Sequence, residues 1–139
     1  MSDNFEGIVE ELKVNYGKVN SYKDLLVWHR SMELVEQIYT ATTNMPENEK
    51  FGLTNQVRRA SGSVASNIAE GWGVAVTGNY IHHLKIAFGS LCEVETQLLL
   101  IEKLSFVSVD ELSKPKNTLI ETSKMLKSLI ISLERNKKN

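Results

Sequence analysis

Residues 78–103 read GNYIHHLKIAFGSLCEVETQLLLIEK, and the apolar positions in this run decide the fold. Tyr80, Leu84, Ala87, Leu91, Val94, Leu98 and Ile101 alternate spacings of four and three, a 3.5-residue repeat that sets them all on one helical seam. A strand would repeat every second residue, so the spacing predicts a helix over residues 78–103 packed against other helices. The lone thiol, Cys92, falls inside this pattern and is expected as a small core residue.

Working outward, residues 24–42 carry Leu25, Trp28, Met32, Val35 and Tyr39 at three-and-four spacing, with Val27, Leu34 and Ile38 widening the face, so a helix with one broad buried side is expected. Asn44-Met45-Pro46-Glu47 then reads as a stop and restart, because proline is tolerated in a first helical turn and acids there complement the dipole. The second helix is expected to follow directly, to about residue 70, with Gly71-Trp72-Gly73 as its C-terminal cap. Downstream, Ser108-Val109-Asp110-Glu111 matches a capping box and predicts the start of a fourth helix. Pro115 must sit near that start or kink it. Leu119, Leu126, Leu129, Ile130 and Leu133 continue the apolar face, and residues 136–139 form a basic tail expected to fray. Residues 1–20 read as an extension in which Phe5, Ile8 and Leu12 allow a short helix over residues 5–14. Four helices with short connections over residues 21–135 predict an all-α, antiparallel up-and-down four-helix bundle.

Composition narrows the function. With 139 residues, two prolines and 42% hydrophobic residues, the chain suits a single helical domain with a real core rather than disorder. The opening MSDNFEGIVEELK lacks the basic, apolar and small-residue blocks of a signal peptide, and the longest aliphatic run is Leu98-Leu99-Leu100-Ile101. A cytoplasmic protein with no membrane association is expected, and a single cysteine suits that compartment. Net charge is −1, so no global basic field points to nucleic acid. Residues 111–139 are nonetheless biased, with seven Lys or Arg against three Glu.

The helix containing QVRRASGSVASNIAEGWG, residues 56–73, mixes charges, hydroxyls and small apolar residues. Leu53, Val57, Ala60, Val64 and Ile68 share one sector, Gln56, Ser63, Asn67 and Glu70 make a polar stripe beside it, and Gly62, Ala65, Ser66 and Ala69 lie roughly opposite as a small-residue sector for a closely approaching helix. Ser90, Glu93 and Gln97 make a matching polar line on the third helix. These stripes are read as a hydrogen-bond network that sets helix register. Glu70 with Glu93 as an acid–base pair is the enzymatic alternative, but no spacing demands it. Adjacent His82 and His83 point about 100° apart and cannot share a metal, so they are read as surface or interface histidines. Gly71-Trp72-Gly73 lacks the third glycine and the preceding strand of a dinucleotide fingerprint, and Ser61-Gly62-Ser63 lacks the nucleophile-elbow frame. No catalytic site, metal, cofactor or small-molecule substrate is expected.

Pro46, Glu49, Leu53, Gln56, Arg58-Arg59-Ala60, Ser63 and Asn67-Ile68-Ala69-Glu70-Gly71, followed by Ala87, Gly89-Ser90-Leu91, Glu93 and Gln97, resemble the signature of bacterial four-helix bundle proteins encoded in ribosomal RNA intervening sequences, also labelled ribosomal protein S23. The resemblance covers roughly residues 22–133. That family is similar to the accessory proteins of diversity-generating retroelements, and the resemblance implies a ring-like homopentamer and binding of structured RNA or DNA, with no chemistry. The candidate contacts are Arg58, Arg59, Lys116, Lys124, Lys127 and Arg135; the last four fall within about 100° of arc on the fourth helix. Val74-Ala75-Val76 departs from the basic or polar residue usual after the Glu-Gly pair. The alternative function is a protein-interaction scaffold without nucleic-acid affinity, for which near-neutral charge and Trp72 speak.

Overall fold

The computed structural model describes residues 19–74 and 77–137. The extension helix expected over residues 5–14, positions 75 and 76 of the Val74-Ala75-Val76 run, and the last two residues of the tail lie outside them. The described chain forms α1 (Leu26–Ala41), α2 (Leu53–Gly73), α3 (Thr77–Lys103) and α4 (Val109–Lys137). Two single 3-10 turns, Tyr22–Asp24 and Glu47–Glu49, precede α1 and α2. No strand occurs among the described residues. Each helix packs on its chain neighbours and α4 closes against α1, the square of an all-α four-helix bundle.

The α3 seam forms the centre as its spacing predicts: Tyr80, Leu84, Ala87, Leu91, Val94, Leu98 and Ile101 are all buried. They meet Val57, Val64 and Ile68 of α2 and Leu112, Leu119, Leu126, Leu129 and Leu133 of α4 in one apolar cluster. Each large aliphatic side chain removed from water there contributes about 1.5–3 kcal/mol. Cys92, one residue past Leu91 and therefore off the seam, is exposed rather than in the core.

The stripe of α1 differs from expectation. Its buried positions are Val27, Ser31, Leu34, Ile38 and Ala41, whereas Met32 and Tyr39 stand 45% and 48% exposed. The apolar positions allowed two overlapping stripes; Ser31 and Ala41, too small or polar to mark a face, complete the one that packs. Ser31 tolerates burial because its hydroxyl donates to the Trp28 carbonyl at 2.7 Å.

Helix ends also differ. After Pro46 the chain makes only the Glu47–Glu49 turn, and α2 starts at Leu53, whose N–H donates to Glu49 Oε1 at 3.1 Å. Gly71 and Gly73 stay within α2, and no described glycine has positive φ, so they are not a left-handed cap. Gly71 is needed for space: a Cβ there would lie 2.9 Å from both His83 Cβ and Tyr80 Cδ1. The left-handed cap occurs at the end of α3 instead, on Ser105 with φ 59°. Phe106 N–H donates to the Ile101 carbonyl and Ser105 N–H to Glu102, both at 3.0 Å, which is a Schellman motif without glycine. Ser108 Oγ accepts from the Glu111 N–H at 3.2 Å, half of the expected capping box. Pro115 lies well inside α4, which runs unbroken to Lys137, past the point where fraying was expected.

Candidate functional site

Two rows of polar residues, spaced three and four apart on α2 and α3, border the core seam on one side, so packing the apolar seams brings the rows face to face. Gln97 Nε2 donates to Glu93 Oε2 at 3.2 Å and to Gln56 Oε1 at 3.5 Å. Ser90 Oγ donates to Ser63 Oγ at 3.0 Å. Asn67 Nδ2 donates to the Ser63 carbonyl and hydroxyl at 2.9 and 3.1 Å. Its Oδ1 lies 3.2 Å from His83 Nδ1, which in turn is 3.7 Å from Glu70 Oε2. Gln56 with Gln97, Ser63 with Ser90 and Glu70 with His83 share one constant antiparallel register. The stripe residues named from the sequence therefore face one another in two separate clusters, Gln56–Gln97–Glu93 and Ser63–Ser90–Asn67 with Glu70, and these tie the two helices that pack most extensively in the bundle.

His83 joins the second of these clusters, although the sequence read it with His82 as a surface or interface histidine. His82 is exposed while His83 is half-buried, about 100° round the helix. The spacing from His83 to Ser90 and Gln97, two steps of seven residues, is the signal that could have found it.

At the Gln56 end the two rows open into a groove of about 370 Å³ lined by Asn55, Gln56, Arg59, Ala60, Ser63, Ser90 and Glu93. Arg59 and Asn55 complete it; Arg59 precedes Ser63 by one turn of α2, so the same periodicity carries it there. Gln97 bonds two residues of its wall, Gln56 and Glu93. It is 6% exposed, and its Oε1 is buried without a hydrogen-bond partner.

Arg58 and Arg59, adjacent in sequence, go different ways. The Arg58 guanidinium stacks 4.4 Å above the Tyr39 ring, donates through Nε to Thr42 Oγ1 at 3.0 Å, and fastens α2 to the end of α1. On α4, Lys116 forms an ion pair with Glu102. Lys124, Lys127 and Arg135 are exposed, and among the described residues none of them has an acidic group within ion-pair distance. Lys127 borders a shallow apolar groove with Phe88, Ile130 and Ile131, while nearby Lys85 pairs with Glu134 at 3.6 Å.

Three further sequence features find their place. Trp72 packs edge-to-face on Tyr80 with centroids 6.1 Å apart and rests against the core. Burial pushes the Tyr80 phenol well above its ordinary pKa. In the small-residue sector Ala65 is buried within the chain itself, whereas a Cβ on Gly62 would meet nothing. Glu70 and Glu93 sit in different clusters at opposite ends of the polar rows, separated by about 15 Å of helix rise between His83 and Glu93. They are not brought together as an acid–base pair.

Comparison with known proteins gives one family. The family model for the 23S rRNA-intervening sequence protein matches residues 23–128. A crystal structure of a protein with unknown function from the S23 ribosomal protein family of Bacteroides thetaiotaomicron VPI-5482 aligns with a TM-score of 0.67 and 26% sequence identity, covering 75% of this chain and 97% of that one. No curated protein matches the chain.

Proposed function

Because the chain belongs to the 23S rRNA-intervening sequence protein family, we propose that it is a non-enzymatic helical bundle that assembles with copies of itself, as a pentameric ring, and binds structured RNA through cations repeated around the assembly. The observation that carries the proposal is the outer face of α3 and α4. Leu99, Ile120 and Ile131 are 52%, 48% and 41% exposed there, beside Lys124 and Lys127, which have no acidic partner among the described residues. An apolar strip of this kind supports contact with a second copy. A net charge of −1 gives one subunit little long-range pull on a polyanion, so affinity depends on several copies presenting the same Lys124, Lys127 and Arg135 cluster. An accessory role beside a nucleic-acid enzyme, like that of retroelement accessory proteins, fits such a module.

Fluorescence anisotropy with a structured RNA and a DNA duplex tests it across a salt series. The expected result is saturable binding that weakens with salt, with a slope near −0.9 per phosphate contacted. Replacing Lys124, Lys127 and Arg135 together by Ala abolishes it. Absence of binding at low salt refutes the nucleic-acid role, and a monomer by light scattering at micromolar concentration refutes assembly. One observation favours a second reading, a protein-interaction scaffold: Phe51, two residues before α2, is 86% exposed.

A further inference from the structure

The groove between α2 and α3 is rich in hydrogen-bond acceptors, although its only cation, Arg59, faces the same space. Glu93 contributes a carboxylate and Gln56 an amide oxygen that receives only a 3.5 Å bond. Behind them Gln97 has spent its amide N–H groups on these two residues, leaving Oε1 buried and unmatched in a side chain 6% exposed. A ligand suited to this groove brings a hydroxyl or N–H donor toward Glu93 and an anionic group toward Arg59. A volume of about 370 Å³ lies at the small-ligand end of binding grooves. None of the lining residues is aromatic, so a nucleobase would find no surface to stack on.

A ribose with its phosphate meets each of these conditions. Its 2′-hydroxyl is a donor that DNA lacks, and its phosphate suits a guanidinium. Resting on the RNA-binding role proposed for the assembly, we infer that this groove holds one sugar–phosphate unit of the bound strand, Arg59 on the phosphate, Glu93 accepting from the 2′-hydroxyl and the Gln56 amide N–H donating to that hydroxyl's oxygen, so that the protein selects RNA over DNA. The larger groove between α1 and α4, about 540 Å³, cannot serve: Glu33, Glu36 and Glu111 line it against Lys114 alone and repel a polyanion.

The test compares one hairpin sequence made as RNA, as DNA and as 2′-O-methyl RNA, titrated by anisotropy into the full-length chain. The expected result is that RNA binds about tenfold more tightly than either analogue, the size of one hydrogen bond to a charged acceptor. Glu93→Ala brings RNA down to the DNA affinity and leaves DNA binding unchanged. Arg59→Ala weakens RNA and DNA alike and reduces the salt slope by about one. Should Glu93→Ala fail to fold, the comparison of the three hairpins with the unmodified protein still decides, because it changes only the ligand. Equal, salt-dependent affinities for RNA and DNA overturn the groove assignment and leave the α4 cations standing; absence of binding to all three overturns both.

Discussion

Replacing Gly71 by alanine separates two physical effects that predict opposite signs. Intrinsic propensity favours the change: alanine in a helix interior is better than glycine by up to about 1 kcal/mol, and the negative φ of Gly71 imposes no backbone cost. Packing opposes it. The new methyl carbon would lie 2.9 Å from His83 Cβ and Tyr80 Cδ1 and 3.3 Å from the Tyr80 carbonyl oxygen. His83 Cβ and the Tyr80 carbonyl belong to the rigid first turns of α3, so α2 and α3 must part locally, and overpacking of this kind costs about 1–3 kcal/mol. The propensity gain shrinks near the end of α2, which leaves a net loss of about 1–2 kcal/mol and a Tm lower by about 3–10 °C. Gly62→Ala and Gly89→Ala are the controls, since a Cβ at either position meets nothing within 4 Å. Each is expected to raise stability by about 0.5–1 kcal/mol. Calorimetric melts at one fixed protein concentration read all three, because Tm would depend on concentration if the proposed assembly forms. A Gly71→Ala Tm at or above that of the unsubstituted protein, with an unmoved His83 ring resonance, would refute the close-approach explanation.

Further expectations follow from individual side chains. The Tyr80 phenol is pushed above its ordinary 10.0 in the folded state, so above pH 10 the unfolded chain loses this proton first and stability falls as pH rises; chemical denaturation at pH 10 and 11 should show a shallower fall for Tyr80→Phe. Ser105→Gly relieves the cost of about 1–2 kcal/mol that a left-handed conformation imposes on a non-glycine residue, less the entropy glycine adds to the unfolded chain, and should raise stability by about 0.5–1 kcal/mol in urea titrations. Arg58→Ala loses both the stack on Tyr39 and the bond to Thr42 and should lower stability by about 1–2 kcal/mol, with Arg58→Lys recovering little because the stack needs a planar guanidinium.

Periodicity alone determined the architecture of this chain. The spacing from Tyr80 to Ile101 and the leucines of α4 are dense enough that one helical face excludes the others, and the polar rows of α2 and α3 were visible because they keep the same period beside those seams. The α1 stripe was not decidable from sequence, since Val27, Leu34 and Ile38 competed with Trp28, Met32 and Tyr39, and only the shape of the other three helices chose between them. Tertiary structure alone also decided where glycine is needed. A left-handed turn can be held by Ser105 when the Schellman hydrogen bonds enforce it, while Gly71 answers to the close approach of the first turns of α3, folded back against the end of α2. The same holds for the groove. Gln56, Arg59 and Glu93 each carry a readable chemical character, but their convergence, and the unmatched oxygen of Gln97 behind them, depend on the register of two helices against each other. Local spacing along one helix specifies its faces; which polar groups meet across a seam is set by how far one helix slides along the next, and that displacement is a property of the packed core.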